Sequence, residues 1–204
     1  MAQMGRPRTF DRDTAVTEAM HLFWEHGYDA TSLAQLKEGL GGGISAPSFY
    51  SAFGSKEALF QECVARYLAT HGRVTAPLQD ASLAPRVAIE TALRQSAAMQ
   101  SAAGHPRGCM VALGAMSAPS VGSADVAHAL NESRARTRAG FADCVQRGIA
   151  SGELRPDTSA LALATVFDNF LSGVSISARD GVDAAALDAA VGQVMRLWDD
   201  AARP

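Results

Sequence analysis

Residues 30–60 constrain the fold more than any other stretch of the chain. They predict a short helix after Thr31, a run of glycines at 41–43, a second short helix from about Ser45 to Phe53, and a third helix that follows at once. The second helix accepts a proline in its first turn, where the missing N–H is not needed. Its phenylalanines share one face at i, i+4 spacing, and hydroxyl-bearing residues cover the rest. This pattern is typical of a helix-turn-helix whose recognition helix is the second helix.

The same stretch resembles a known family. Residues 27–33 read Gly-Tyr-Asp-Ala-Thr-Ser-Leu, and residues 49–60 read Phe-Tyr-Ser-Ala-Phe-Gly-Ser-Lys-Glu-Ala-Leu-Phe. Over residues 5–65 the chain resembles the N-terminal domain of the TetR/AcrR family of bacterial transcriptional regulators, and beyond them the resemblance is architectural. It implies an all-α fold, in which a three-helix helix-turn-helix domain precedes a larger helical ligand-binding and dimerisation domain.

The expected organisation has four parts. They are a flexible basic arm at 1–10, the helix-turn-helix domain at 11–54, a connecting helix at 55–70, and the effector-binding and dimerisation domain at 71–204. The first helix is expected to begin at Asp11 and to end before Gly27. Glycine and proline predict a linker over 71–85, and no stretch shows the alternation of a strand. Further helices are expected at about 86–103, 108–117, 123–151, 158–178 and 183–202.

Charge alone does not favour a nucleic-acid-binding protein. The chain has a formal net charge of −3, and its first 60 residues carry five positive and seven negative side chains. Affinity for DNA must therefore come from the placement of a few cations and N–H groups. Lys56 lies in a first helical turn, where the helix dipole disfavours it, so we interpret it as a phosphate contact, a role that the resemblance also implies. The alternative is a solvated lysine.

Other DNA contacts are expected around this lysine. Arg6 and Arg8 belong to the basic arm, which reaches a groove or is simply a solvated tail. Thr31 or Ser32 caps the second helix of the domain, and the free N–H groups there hold a phosphate or are only capped. The turn Gly41-Gly42-Gly43-Ile44 is about two residues longer than the family pattern, so it bulges outward or shifts the recognition helix. The predicted DNA-binding set is Arg6, Arg8, Thr31, Ser32, Ser45, Ala46, Ser48, Phe49, Tyr50, Ser51 and Lys56.

The C-terminal half contains apolar residues that suit either an adaptable pocket or an ordinary core. The resemblance implies an effector cavity among the middle helices, and it implies that the last two helices form a four-helix dimer interface. In the last helix apolar residues recur at i, i+4, i+7 and i+11, which indicates a narrow seam. Pocket candidates are Met99, Met110, Leu113, Met116, Phe141, Cys144, Phe167 and Phe170. Interface candidates are Leu163, Phe170, Val174, Leu187, Val191, Val194 and Trp198, with an intramolecular core as the alternative.

Other chemistry finds less support in the sequence. Three scattered cysteines predict neither a disulfide framework nor a metal site, and no catalytic motif is present, so we expect no enzyme and no cofactor. No apolar run reaches 18 residues and no secretory signal is present, which favours a cytoplasmic protein that does not enter the membrane. We therefore predict a homodimeric repressor that binds a palindromic DNA operator and is released by a small apolar or amphipathic effector. The alternatives are an all-α small-molecule-binding protein or enzyme without DNA binding, and a regulator that senses oxidants through Cys109 or Cys144.

Overall fold

The computed structural model describes residues 11–116 and 124–202, and every regular element within these two ranges is helical. This confirms the all-α prediction. The helices of the N-terminal region are α1 (Arg12–His26), α2 (Leu33–Gly39), α3 (Ala46–Phe53) and α4 (Lys56–Ala69). They are followed by a 3-10 helix (His71–Gln79), α5 (Pro85–Ser101), α6 (Met110–Met116), α7 (Ala124–Ala150), α8 (Ala160–Arg179) and α9 (Ala184–Ala202).

The helices of the N-terminal region begin at side-chain caps. The side chains of Asp11, Ser45 and Ser55 accept hydrogen bonds from backbone N–H groups two or three residues further along, at 3.0, 3.2 and 2.9 Å. These bonds satisfy donors that have no partner inside the helix. The helix α1 ends at Gly27, whose φ of 82° is readily adopted by glycine. The start predicted at Asp11 is therefore confirmed, and Ser45 and Ser55 cap α3 and α4 in the same way.

The first hydrophobic core joins the N-terminal helices to part of the C-terminal half. Trp24 packs edge-on against Tyr67 of α4 with 4.9 Å between ring centroids, and Phe23 meets Phe60 in the same way at 5.0 Å. Edge-to-face pairs of this kind add to the stabilisation from burial. The helix α6 and the start of α7 complete this core with Met110, Val111, Val126 and Leu130.

The second hydrophobic core lies between α5, α7, α8 and α9. Phe141 of α7 stacks on Phe167 of α8 with ring centroids 6.2 Å apart, and Trp198 of α9 is 1% exposed. Gly148 lets the Trp198 ring approach α7, because an added Cβ there would lie 2.7 Å from that ring. The four helices are therefore packed around large, fully buried side chains.

The expected linker at 71–85 is wrong for most of its length. Residues His71–Gln79 form the 3-10 helix, and Leu78 near its end is 1% exposed within the second core. Glycine and proline disfavour a regular α-helix here, but a short 3-10 helix tolerates them. Burial of Leu78 therefore stabilises a 3-10 helix in a segment whose composition is typical of a loop. Asp80 then closes the turn by accepting the backbone N–H of Ser82 at 2.9 Å.

The helix α8 is long and apolar enough to cross a membrane by length and composition, which the sequence prediction did not anticipate. Only 22% of its most apolar window is buried. One side of α8 carries Phe167, Val174 and Ala178 into the second core. The opposite side exposes Leu161 and Val166, so the described residues leave an apolar surface of this helix uncovered.

Candidate DNA-binding surface and effector cavity

The recognition helix α3 has a core face and an outer face. Phe49 and Phe53 are 0% and 6% exposed within the first core, whereas Tyr50 is 51% exposed and Ser51 is also exposed. The prediction that Phe49 contacts DNA is therefore wrong, since its side chain has no free surface. The outer face carries Ser45, Ser48, Tyr50 and Ser51, with Ala46 half-buried beside them.

The N-terminus of α3 presents a pair of hydroxyl groups. Ser45 Oγ accepts the backbone N–H of Ser48 at 3.2 Å and lies 2.9 Å from Ser48 Oγ. Two hydroxyls carry two protons, and the bond between them uses one. The other proton is left for an acceptor outside the helix, such as a phosphate oxygen or a base edge.

The two candidates before α2 have different roles. Thr31 is 0% exposed, and its hydroxyl donates to the carbonyl oxygen of Gly27 at 2.7 Å, so its predicted side-chain contact with DNA is wrong. Ser32 is exposed and forms a capping box with Gln35. The Ser32 N–H donates to Gln35 Oε1 at 2.7 Å, and Ser32 Oγ accepts the Gln35 N–H at 3.2 Å. Thr31 therefore fixes the bend before α2, and Ser32 remains at its surface.

Lys56 is held in place by an aromatic ring. Its Nζ lies 4.3 Å from the centroid of the Tyr28 ring, within the range of a cation–π contact. Burial lowers the pKa of Lys56, and the nearby carboxylate of Asp29 opposes that shift. The ring restricts the ammonium group to the first turn of α4, next to the end of α3.

The glycine turn is exposed, and α3 after it is docked on the first core. Gly41, Gly42 and Gly43 have φ values of 57°, 73° and 104°, and all three are exposed. The Gly41 N–H donates to Glu18 Oε2 of α1 at 2.7 Å, which ties the turn to the domain. The Ile44 N–H donates to a carbonyl of α2 at 2.8 Å. The extra residues are therefore accommodated by an ordered loop.

Arg12 positions α3 and was not identified from the sequence. Its guanidinium forms a bidentate ion pair with Glu62 of α4 at 2.7 and 2.6 Å. Its Nε donates to the carbonyl oxygen of Ala52 near the end of α3 at 3.2 Å. These partners lie 40 and 50 residues away in the chain. No local spacing could have indicated them. The predicted contacts Arg6 and Arg8 lie outside the described residues.

A partly enclosed cavity of about 200 Å³ lies between α4, the 3-10 helix, α5, α6, α7 and α8. Its apolar wall includes Leu68, Val74, Met99, Val111 and Leu171. A larger groove of about 590 Å³ runs beside it between the 3-10 helix and α5, but that groove is open to solvent. Small-molecule sites bury most of the ligand surface, so the less open of the two, the 200 Å³ cavity, is the better candidate for an effector site.

The cavity also carries polar groups. Ser96 Oγ and Gln100 Oε1 are buried there without a hydrogen-bond partner. The hydroxyl of Tyr67 donates to Cys109 Sγ at 3.2 Å. Burial, and then the neighbouring Cys109, raises the pKa of Tyr67, so the phenol stays protonated as a donor. Burial also raises the pKa of Asp168 on the α8 wall, against the effect of nearby arginines.

Most of the predicted pocket residues lie elsewhere, and among those whose side chains the structure describes, Met99 lines the cavity. Phe141, Cys144 and Phe167 are each 0% exposed in the second core, and Met110 is buried in the first. Their predicted place in the pocket is wrong. The periodicity of apolar residues identifies a buried helix face, but it does not show whether that face lines a cavity or packs in a core. Leu113 and Phe170 are half-buried outside the cavity wall, and the side chain of Met116 is outside the described part of the structure.

The predicted dimer seam is largely core. Leu187, Val191, Trp198 and Val174 are between 0% and 4% exposed within the second core, so these side chains have no surface to offer a partner. The prediction is wrong for these four, because α9 turns its apolar stripe onto α5 and α8 of the same chain. The remaining candidates, Leu163, Phe170 and Val194, are half-buried at the edge of that core. The exposed large apolar side chains of α8 and α9 are Leu161, Val166, Ile176 and Leu197.

Arg179 joins the two halves of the molecule. It lies at the C-terminal end of α8 and donates to the carbonyl oxygens of Trp24 and Glu25 at 2.9 and 3.0 Å. Its Nε donates to the carbonyl oxygen of Arg107 at 2.9 Å. The last turn of α1 is therefore hydrogen-bonded to the same helix whose middle forms a wall of the cavity.

Comparison with known proteins places both halves in one family. The family model of bacterial regulatory proteins of the tetR family matches residues 16–63. The model of the tetracyclin repressor-like C-terminal domain matches residues 85–194. The first match contains α2, α3 and the start of α4, and the second contains most of the cavity wall.

Individual relatives agree with these matches. The HTH-type transcriptional repressor ComR of Escherichia coli is 34% identical over 96% of this chain and 92% of its own length. The HTH-type transcriptional repressor BdcR of the same organism is 38% identical over 52% of this chain and 53% of its own length. A further neighbour is a cysteine mutant of the TetR family transcriptional regulator CifR, solved with 26-bp double-stranded operator DNA. It is 41% identical and superposes with a TM-score of 0.81, and the match covers 95% of this chain and 100% of that chain. The chain therefore belongs to the TetR family of bacterial transcriptional regulators.

Proposed function

We propose that this chain is a transcriptional repressor that binds a DNA operator as a homodimer and releases it when a small molecule occupies the cavity. The observation that carries the proposal is the outer face of α3, which exposes hydroxyl groups and Tyr50, and the next helix begins with Lys56, whose ammonium lies over the Tyr28 ring. Hydroxyl groups and single cations are suited to phosphate and base-edge contacts. The relatives ComR and BdcR are named repressors, and CifR has been solved with operator DNA.

Dimerisation follows from the uncovered side of α8. Leu161 is 79% exposed, and Val166 and Ile176 are 39% and 43% exposed on the same helix. A second copy of the chain would cover such a surface with its own α8 and complete the expected four-helix interface. Two recognition helices related by a two-fold axis read a palindrome whose half-sites lie about 34–36 Å apart or a multiple of that distance. A repressor with these contacts acts in the cytoplasm, where the DNA is.

Release depends on differential binding of the effector. A ligand shifts the equilibrium between DNA-binding and released conformations only if it binds the two with different affinity. The wall of the cavity includes α4, which carries Lys56, and α8, which carries Arg179. A ligand that moves either helix therefore changes the spacing or tilt of the recognition helices.

The test is a gel-shift titration with DNA flanking the protein's own gene and an excess of unrelated competitor DNA. We expect a palindromic site that is bound well above the nonspecific level. Ser51→Glu puts a negative charge on the exposed face of α3 and should abolish that binding. Ser151→Glu makes the same charge change at an exposed position after α7 and should leave binding intact. Absence of any specific site would favour the alternative of a small-molecule-binding protein without DNA binding.

A second candidate, a thiol-based response, is favoured by the position of Cys109. Its sulfur lines the cavity and accepts a hydrogen bond from Tyr67, whereas Cys63 and Cys144 are buried and burial raises the pKa of both thiols. A hydrogen-bonded thiolate could attack hydrogen peroxide. The O–O bond would break, hydroxide would leave, and the sulfur would become a sulfenic acid. If this response operates, peroxide releases the wild-type protein from DNA but leaves Cys109→Ser bound. Equal sensitivity of the two proteins would exclude it.

A further inference from the structure

Two polar atoms on one face of α5 have no partner inside the cavity. Ser96 is 0% exposed and Gln100 is 2% exposed, and their spacing of four residues places them on adjacent turns. Ser96 Oγ and Gln100 Oε1 both lack a hydrogen-bond partner, and both residues line the cavity. A buried polar atom left unpaired carries a free-energy cost, so its place in a ligand cavity points to a ligand group that pairs with it.

The rest of the wall limits the body of the ligand. Met99 lies between the two polar residues in sequence, and Val74, Val111 and Leu171 add apolar surface from three other elements. The volume of about 200 Å³ is below the range of about 300–1,000 Å³ that is usual for drug-sized ligands. The cavity therefore suits a compact and largely apolar molecule.

The distribution of charge limits the group that faces α5. The charged side chains of the wall are Arg134 and Arg138 of α7 and Asp168 of α8, and α5 contributes none. Tyr67, which also lines the cavity, stays neutral because burial raises the pKa of its phenol. A charged group next to Ser96 and Gln100 would be buried without a counter-charge on that helix, which is costly.

We infer that the effector is a small neutral molecule with an apolar body and one O–H or N–H group, which donates its proton to Gln100 Oε1 and pairs with the Ser96 hydroxyl. The inference rests on the proposed function, because it gives the chemical class of the molecule that releases the repressor. The ligand must donate a hydrogen bond, because a ligand oxygen that can only accept one leaves Gln100 Oε1 unpaired.

The experiment compares three probes of similar shape that differ in one group. Benzyl alcohol can donate and accept a hydrogen bond, benzyl methyl ether can only accept, and toluene can do neither. Each is titrated into the full-length protein, and its dissociation constant is obtained from the rise in melting temperature. We expect benzyl alcohol to bind about tenfold more tightly than either of the others, because it alone satisfies the buried amide oxygen.

Variants test whether the preference arises at the proposed residue. Gln100→Leu should remove the advantage of benzyl alcohol, and Gln100→Met provides a second replacement if the first does not fold. Gln95→Leu is the matched control, since Gln95 is exposed on the same helix and lies outside the cavity wall. That variant should retain the full preference.

Two results would overturn the inference. One is equal binding of the three probes, or no binding of any, by the wild-type protein. The other is a preference for benzyl alcohol that survives in Gln100→Leu. Operator binding by the same preparations is measured in parallel, because its loss would count against the repressor itself. Retained operator binding without a donor preference would count only against the ligand class.

Discussion

Lys56 is one of two lysines in the chain, and its surroundings suit the phosphate contact that we propose for it. The ammonium lies over the Tyr28 ring at the start of α4, so little side-chain freedom remains to be lost when DNA binds. A restrained cation contributes more to the free energy of binding than a mobile one, because it loses less conformational entropy. This suits a surface that carries few cations.

Substitution of this lysine should weaken binding to all DNA sequences alike. For Lys56→Ala we expect the slope of log affinity against log salt concentration to fall in magnitude by about one, because one phosphate contact is lost. Arg196→Ala removes a charge from an exposed position on α9 and serves as the control for net charge. Gel-shift titrations between about 50 and 200 mM salt measure both slopes. An unchanged slope for Lys56→Ala would remove it from the DNA contacts.

Phe49 and Tyr50 are neighbours with opposite roles. Phe49→Ala should lower the free energy of unfolding by about 3–5 kcal/mol, because it leaves a cavity in the first core. Tyr50→Ala should change it by less than about 0.5 kcal/mol and should weaken operator binding, since the ring is 51% exposed on the outer face. Urea unfolding and gel shifts on both variants separate the two effects. A strongly destabilised Tyr50→Ala would contradict this assignment.

Among the elements, the glycine turn before α3 places the strictest demand on residue type. At Gly42 an added Cβ would meet no atom within 4 Å, so space is not the constraint. The φ of 73° is the constraint, because it costs an L-residue roughly 1–2 kcal/mol. Gly42→Ala should therefore be destabilising by about that amount, and Gly42→Asn by less, since asparagine tolerates this conformation better.

A helical glycine provides the control for the turn. Gly192 lies inside α9, where an added Cβ would meet only an arginine side chain at 4.0 Å. Gly192→Ala should be neutral or stabilising by up to about 1 kcal/mol, because alanine is the better helix former. Urea unfolding of the three variants gives the comparison. Equal effects at Gly42 and Gly192 would mean that the turn does not require positive φ.

A cluster of histidines joins α1 to the 3-10 helix. The ring of His71 lies 4.6 Å from His105, 5.1 Å from Trp24 and 5.9 Å from Tyr67 between centroids, and His105 stacks on Trp24 at 4.7 Å. Burial, followed by the proximity of His105 and His21, lowers the pKa of His71 below its unfolded value of about 6.5. The unfolded chain therefore binds more protons than the folded chain just below pH 6.5.

Stability should consequently fall as the pH drops from about 7.5 to 5.5. His71→Gln should reduce this dependence, since the folded and unfolded states then bind protons more equally at this position. His128→Gln, at an exposed site on α7, should not reduce it. The urea midpoint at the two pH values is the measurement, in a window above the titration of most carboxylates. If His71→Gln leaves the pH dependence of stability unchanged, that dependence arises from other groups.

On the scale of the whole molecule, we expect the exposed side of α8 to form the proposed contact between two chains. Val166→Asp should convert a dimer to a monomer and abolish specific operator binding, because a charge would be buried without a partner. Val87→Asp is the control, since Val87 is 47% exposed on α5. Sedimentation or light scattering gives the mass of each variant. A dimer that survives Val166→Asp would place the interface elsewhere.

The sequence predicted what depends on neighbours in the chain and missed what depends on distant contacts. The start of α1 at Asp11 was predictable because the capping oxygen and the N–H group that it accepts lie two residues apart. The stripe containing Leu187 and Val191 correctly indicated a buried face, but the residues that bury it lie on α5 and α8. Most residues that line the cavity were missed for the same reason, since its wall combines short pieces of six elements, one of which had the composition of a linker.

The hydrogen bonds of Arg179 have a consequence for how such a protein can change over evolutionary time. Its three acceptors are main-chain carbonyl oxygens, of Trp24, Glu25 and Arg107, and every residue type supplies that group. Mutations at the accepting positions therefore preserve the bonds as long as the backbone stays in place. The cavity wall can therefore change while these three hydrogen bonds are kept, and the only side chain on which all three depend is that of Arg179.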